Sequence, residues 1–274
     1  MRHLFPNLLF PSLLAAALVF AGVAPAQDAA MVSLQTADDS RGWDAVGKLM
    51  LGDRGFCTGA LIEPQLVLTA AHCLYDKQTG VQMRPDEIQF FAGWRNGRAV
   101  AYRSVSHAVT HPDYRFATGD KLGRVTADLA LLELSQPIRL PSLTPFETGA
   151  TPVEGDSVGV VSYAQDRAEA PSIQEFCEVL AGRRETLILS CNVDFGSSGA
   201  PVFAITDGVA RVVSVISAKA EVDGRKVALA VPLAAPLAVL RAALAETRGP
   251  GRVGTGTVSV LSGGQGNGAK FIKP

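Results

Sequence analysis

From Val46 onward the chain is written in short apolar runs divided by Gly, Pro, Asp and Asn. Gly59-Ala-Leu-Ile-Glu, Leu66-Val-Leu-Thr, Ile88-Gln-Phe-Phe-Ala-Gly, Asp128-Leu-Ala-Leu-Leu-Glu-Leu and Ser157-Val-Gly-Val-Val-Ser-Tyr are all strand-length. So are Thr186 to Ser190, Pro201 to Ile205 and Val209 to Ala218. Many short strands with turn signals between them predict an all-β sandwich or barrel. Helical spacing is convincing once, in Leu233, Leu237, Leu240 and Leu244, and predicts a helix over 233–245. At 274 residues and 47% hydrophobic, the chain can bury one large core or two small ones. A division is expected near 140–152, where Leu140-Pro-Ser-Leu-Thr-Pro and Gly149-Ala-Thr-Pro read as a linker.

The two ends differ from this body. Arg2 and His3 precede an apolar run from Leu8 to Ala24, and Ala24-Pro25-Ala26 supplies small residues for a signal peptidase. Residues 1–26 therefore read as a secretory signal peptide, and Pro11 leaves the run too short for a spanning helix of about 20 residues. Residues 27–42 are polar, small and acidic at Asp28, Asp38 and Asp39, as in a lead-in or pro-segment. Residues 248–274 carry many glycines and read as a flexible tail. The protein is expected to be exported, to the periplasm or the medium, with no stable membrane anchor. A formal net charge of -1 gives no basic excess for nucleic acid. Monomer is the expected state.

Export makes disulfides plausible. The four cysteines, Cys57, Cys73, Cys177 and Cys191, allow three pairings. Nearness along the chain favours Cys57–Cys73 and Cys177–Cys191. Cysteine and histidine spacing typical of a zinc site is absent, so neither metal nor cofactor is expected.

Three segments carry chemistry. The first runs Cys57-Thr-Gly-Ala-Leu-Ile-Glu-Pro-Gln-Leu-Val-Leu-Thr-Ala-Ala-His72-Cys73. The second is Asp128-Leu-Ala-Leu-Leu-Glu-Leu, and the third Asp194-Phe-Gly196-Ser-Ser198-Gly-Ala-Pro201-Val-Phe. A free imidazole is mostly a base at neutral pH, a carboxylate can fix its tautomer, and a serine can be the nucleophile they activate. In this order and context the segments resemble the trypsin/chymotrypsin serine protease family, over roughly residues 43–247. The resemblance implies two six-stranded antiparallel β-barrels, about 43–145 and 146–247, with the active site in the cleft between them. It implies His72 as general base, Asp128 as its orienting acid and Ser198 as nucleophile, with the N–H groups of Gly196 and Ser198 as oxyanion hole. It also implies a Cys57–Cys73 bridge across a hairpin; Cys177–Cys191 is read as a second. The other histidines, His3, His107 and His111, and the aspartates Asp113 and Asp120 lack such settings.

The match departs in places. Ser197 stands where digestive members have an aspartate, and Ala200 replaces the second glycine of the signature. The Gly-Ser-Ser-Gly form is similar to the bacterial, glutamyl-endopeptidase-like branch. By resemblance the substrate pocket is lined by Asn192, Val193, Ser217, Ala218 and Lys219, and an inward Lys219 would favour an acidic side chain. The expected activity is endopeptidase hydrolysis of polypeptides through an acyl-enzyme. The alternative is a catalytically silent or latent binding protein on the same scaffold.

Overall fold

The computed structural model describes residues 29–116, 121–183 and 185–248. The expected leader, Asp120 and the glycine-rich stretch beyond Arg248 lie outside the described residues.

The first half is a closed antiparallel barrel. Its strands are β2 (Val46–Leu51), β3 (Phe56–Glu63), β4 (Leu66–Thr69), β5 (Ile88–Ala92), β6 (Ala101–Thr110) and β7 (Ala130–Leu134), paired in the order β2-β3-β4-β7-β6-β5. Closure leaves no free edge. β5 alternates, with Ile88, Phe90 and Ala92 buried, as a strand with one face to the core must. Leu49, Leu61, Leu68 and Leu131 join Ile88 and Phe90 with no exposed surface at all. A short helix, α1 (Lys121–Thr126), precedes Asp128 and β7.

The second half is built from β8 (Ser157–Ala164), β9 (Arg167–Arg183), β10 (Thr186–Leu189), β11 (Pro201–Thr206), β12 (Val209–Val222) and β13 (Arg225–Pro232). Its sheet order is β1-β9-β10-β13-β12-β11-β8, where β1 is Val32–Ser33, and β8 also pairs with β9. β9 changes partner along its length. Its first part, Arg167 to Glu178, faces β8, and Val179 to Arg183 faces β10. The sheet thereby curls back on itself.

Each end of the described residues crosses to the opposite half. β1 pairs with β9 at Ile173 and Ser172, Leu34 N–H donates to Pro171 O at 2.8 Å, and Leu34 is buried. The last helix, α2 (Pro236–Thr247), lies against β6 and β7 and buries Leu237, Leu240 and Leu244. Arg241 of α2 pairs with Glu63 of β3, and Arg248 reaches Glu133 of β7 at 2.7 Å. Among the described residues no helix is long and apolar enough to cross a membrane.

Residues 140–152 form the connection, and Phe146 anchors it. Its ring centroid lies 4.7 Å from that of Phe203 and 6.0 Å from that of Trp43, so one aromatic cluster joins linker, first half and second. The helix expected from Leu233 begins instead at Pro236. Proline has no N–H to leave unpaired and its fixed φ suits a first turn. Strands β2, β6, β9 and β13 stand outside the runs read from sequence. β6 and β9 carry polar residues on an open face, which breaks their apolar runs.

Candidate active site

His72 lies in a single 3-10 turn, Ala71–Leu74, directly after β4. The disulfide Cys57–Cys73, with Cα atoms 6.3 Å apart, ties this turn to β3. Asp128 reaches it from the foot of β7 and is only 2% exposed. Three donors hold that carboxylate. His72 Nδ1 lies 2.7 Å from Oδ2, and His72 backbone N–H donates to Oδ1 at 2.8 Å. The hydroxyl of Ser217 on β12 donates to Oδ2 as well. All three contacts are donated to a carboxylate that is almost wholly buried, so its polar atoms are satisfied inside the fold. With Nδ1 facing the carboxylate, Nε2 is the ring nitrogen left without an oxygen or nitrogen partner among the described residues. The donor from Ser217 is a role the sequence reading missed, since it placed Ser217 only in the substrate pocket.

Ser198 sits in the segment between β10 and β11, in the sharp turn made by Gly196 and Gly199. Gly199 has φ +79°, and a Cβ there would fall 2.1 Å from Thr69 Oγ1 and 2.3 Å from Thr58 O. Gly196 has φ +98°, with the Phe56 ring 2.5 Å from any added Cβ. Both positions demand glycine for conformation and for space. The turn is stitched to the first barrel: Thr58 N–H donates to Ser198 O at 2.9 Å, and Thr58 Oγ1 donates to Gly196 O at 2.8 Å. Ser197 points the other way. It is fully buried, and its hydroxyl lies 3.2 Å from Ser162 Oγ and 3.3 Å from Tyr163 O. Arg167, at 18% side-chain exposure, donates to Ser162 O at 2.8 Å and closes the same cluster. Burial pulls its guanidinium pKa downward, against the opposing pull of Asp166 and Asp194.

The Phe195 carbonyl is engaged by Gln165 N–H at 2.7 Å. In a trans peptide the following N–H points opposite to that carbonyl. The N–H groups of Gly196 and Ser198 donate to no other group among the described residues.

His72, Asp128 and Ser198 all line one cavity of about 590 Å³. Among the described residues no hydrogen bond joins Ser198 to the His72 ring. Val193, Ser217, Ala218 and Lys219 line the cavity too, whereas Asn192 lines a neighbouring one. Lys219 does not stand free: its Nζ lies 2.7 Å from Asp194 Oδ1. The sequence reading also missed Lys77, Phe116 and Arg124, which line the cavity from loops and α1 and carry no motif.

Cys57, His72 and Cys73 bring potential metal-ligand atoms within 4.8 Å of one another. Both sulfurs are bonded to each other, so neither is a thiolate. The second bridge is Cys177–Cys191.

A family model described as a trypsin-like peptidase domain matches residues 57–215, more than half of the chain. The chain belongs to the trypsin-like peptidase family. It is 28% identical over 156 residues to a glutamyl endopeptidase of Bacillus licheniformis, covering 54% of this chain and 45% of that protein. It is 32% identical over 100 residues to trypsin 5G1 of Aedes aegypti, covering 33% of each. The chain thus spans less than half the length of these curated relatives. A solved Glu endopeptidase structure superimposes with a TM-score of 0.65 at 16% identity, over 80% of this chain and 98% of that one. The glutamyl endopeptidase likeness in sequence is consistent with the bacterial branch, and the structural one shows the shared fold.

Proposed function

We propose that this protein is a serine endopeptidase that hydrolyses peptide bonds through an acyl-enzyme. The observation that carries the reading is the two-point hold of Asp128 on His72, at 2.7 and 2.8 Å, in the cavity that Ser198 also lines. Ser198 Oγ attacks the scissile carbonyl carbon as its proton passes to His72 Nε2. The N–H groups of Gly196 and Ser198 meet the charge that develops on the carbonyl oxygen. Collapse of that adduct breaks the C–N bond, and the leaving amine takes the proton from His72. Water then attacks the ester with His72 again as base, which frees the acid and restores Ser198. Asp128 remains a carboxylate throughout and balances the transient imidazolium.

The hold of Gln165 N–H on the Phe195 carbonyl supports this reading over a latent binding protein, because it fixes the peptide whose N–H, on Gly196, is left without an acceptor among the described residues. Substrates are polypeptides, and the two disulfides fit export to an oxidising compartment.

The test is intact-mass labelling of the oxidised protein with a fluorophosphonate, beside Ser198→Ala. One adduct, mapped to Ser198 and absent from the variant, is the expected result. Absence of any adduct, before and after limited proteolysis of residues 27–42, returns the chain to the binding-protein alternative.

A further inference from the structure

A second cavity, of about 520 Å³, lies beside the first. Val193, Asp194, Lys219 and Ala220 line both, so these four residues form a common wall. At its middle stands an ion pair, Lys219 Nζ to Asp194 Oδ1 at 2.7 Å. Asp194 comes from the segment before Ser198, and Lys219 from β12, so the pair spans the gap between the two sides of the cavity. The Lys219 ammonium also sits 4.1 Å from the centroid of the Phe195 ring.

The two sides of this wall differ in chemistry. Toward Ser198 the lining includes the apolar Ile216, Ala218 and Leu229, beside the Ser217 hydroxyl that is already committed to Asp128. Beyond the pair it includes Asn192, Glu221 and Lys226. The side chains of Lys219 and Asp194 are 48% and 52% exposed, so water competes for both charges and the pair is weakly held.

We infer that the Asp194–Lys219 pair is a removable bar that sets the depth of the substrate pocket, limiting the side chain on the acyl side of the scissile bond to a short apolar one. The inference rests on the serine-peptidase reading above. With the bar closed, a side chain entering beside Ser198 meets the pair after the apolar lining ends. With the bar gone, the two cavities join and a long, unbranched side chain gains room. Lys219 then acts on specificity through its partner, rather than by offering a free ammonium to an acidic substrate.

The experiment compares wild type, Lys219→Ala and the double variant Asp194→Ala/Lys219→Ala on matched chromogenic peptide amides. The residue supplying the scissile carbonyl is valine in one and homophenylalanine in the other. The expected result is a homophenylalanine-to-valine ratio of kcat/KM about tenfold higher in Lys219→Ala and at least as high in the double variant. A ratio within threefold of wild type in both variants overturns the bar. Fluorophosphonate labelling of each protein separates the two readings. Labelling at Ser198 with an unchanged ratio overturns the bar alone, while an unlabelled wild type overturns the serine-peptidase reading and the bar together.

Discussion

In the first barrel, His72 and Asp128 are fixed by buried bonds: a two-point carboxylate clasp, a disulfide one residue from the base, and a core of fully buried leucines. In the second half, Ser198 is held by glycine turns that lean on the first barrel, and the pocket beside it is spanned by a half-exposed ion pair. Proton-handling groups need one geometry and one tautomer, so rigidity serves them. A pocket that must admit a side chain is served by a wall of low energetic cost. The lesson is that neighbouring residues in one cavity differ widely in how much of the fold stands behind them.

The comparison breaks most severely at Asp128. Asp128→Asn keeps the shape but reverses the donor pattern facing Nδ1, so steady-state assays should show kcat lower by about 10⁴-fold, a magnitude taken from enzymes with this same triad rather than from this geometry. A fall of less than tenfold would mean that the buried clasp is not what readies the base.

The two disulfides sharpen it. They close loops of similar span, with sequence separations of 16 and 14. Removing either by paired Cys→Ala changes should therefore cost about 3 kcal/mol in denaturant unfolding. Their effects on turnover should differ. Loss of Cys57–Cys73 frees the turn that carries His72 and lowers kcat, whereas loss of Cys177–Cys191 acts on the second half and changes KM more. Equal effects on kcat would erase the distinction between the halves.

Ser217→Ala gives a smaller effect, because Asp128 keeps both donors from His72. The loss of one bond to a charged acceptor is expected to lower kcat roughly tenfold, with fluorophosphonate labelling slowed to match.

The smallest effect is expected at the pocket wall. Asp194→Ala should leave the melting temperature nearly unchanged, since exposed pairs contribute about 0–1 kcal/mol. The Lys219 hydrogen bond, then the Phe195 N–H, hold the Asp194 carboxyl below its ordinary range. Its folded pKa is depressed, so any contribution is present above the unfolded value near 3.9 and fades as pH falls through the lower folded one. The difference between wild type and variant should therefore be largest above about pH 4 and shrink steadily as pH falls through the acidic range; calorimetry over a pH series checks this.

The parts legible in sequence were those where chemistry and local conformation are encoded by adjacent residues. The segment ending in His72-Cys73 and the segment around Ser198 each name their residue, and the apolar strand after Asp128 marks the third. Strands β4, β5, β7 and β8 read as clean apolar runs because their neighbours on both sides bury them or alternate regularly. β9 did not, because its 17 residues serve two partners and include Pro171 and several exposed acids. Ser217's donation to Asp128 was illegible for another reason. The two residues are 89 positions apart and meet only when β12 is brought against the foot of β7. The ion pair Asp194–Lys219 is hidden in the same way, since neither residue belongs to a periodic pattern.

The crossing of the chain ends has a consequence for how the molecule works under stress. His72 and Asp128 belong to one half and Ser198 to the other, so their meeting in one cavity depends on how the halves are registered. β1, which precedes the first barrel, is laced onto the second sheet, and α2, which follows the second sheet, is laced onto the first barrel. Neither half can drift or open without undoing a terminal lace, and each lace is drawn from the opposite end of the polypeptide. The register between the halves is thus governed by β1 and α2, segments far along the sequence from the residues that line the first cavity, and deleting α2 is expected to loosen that register.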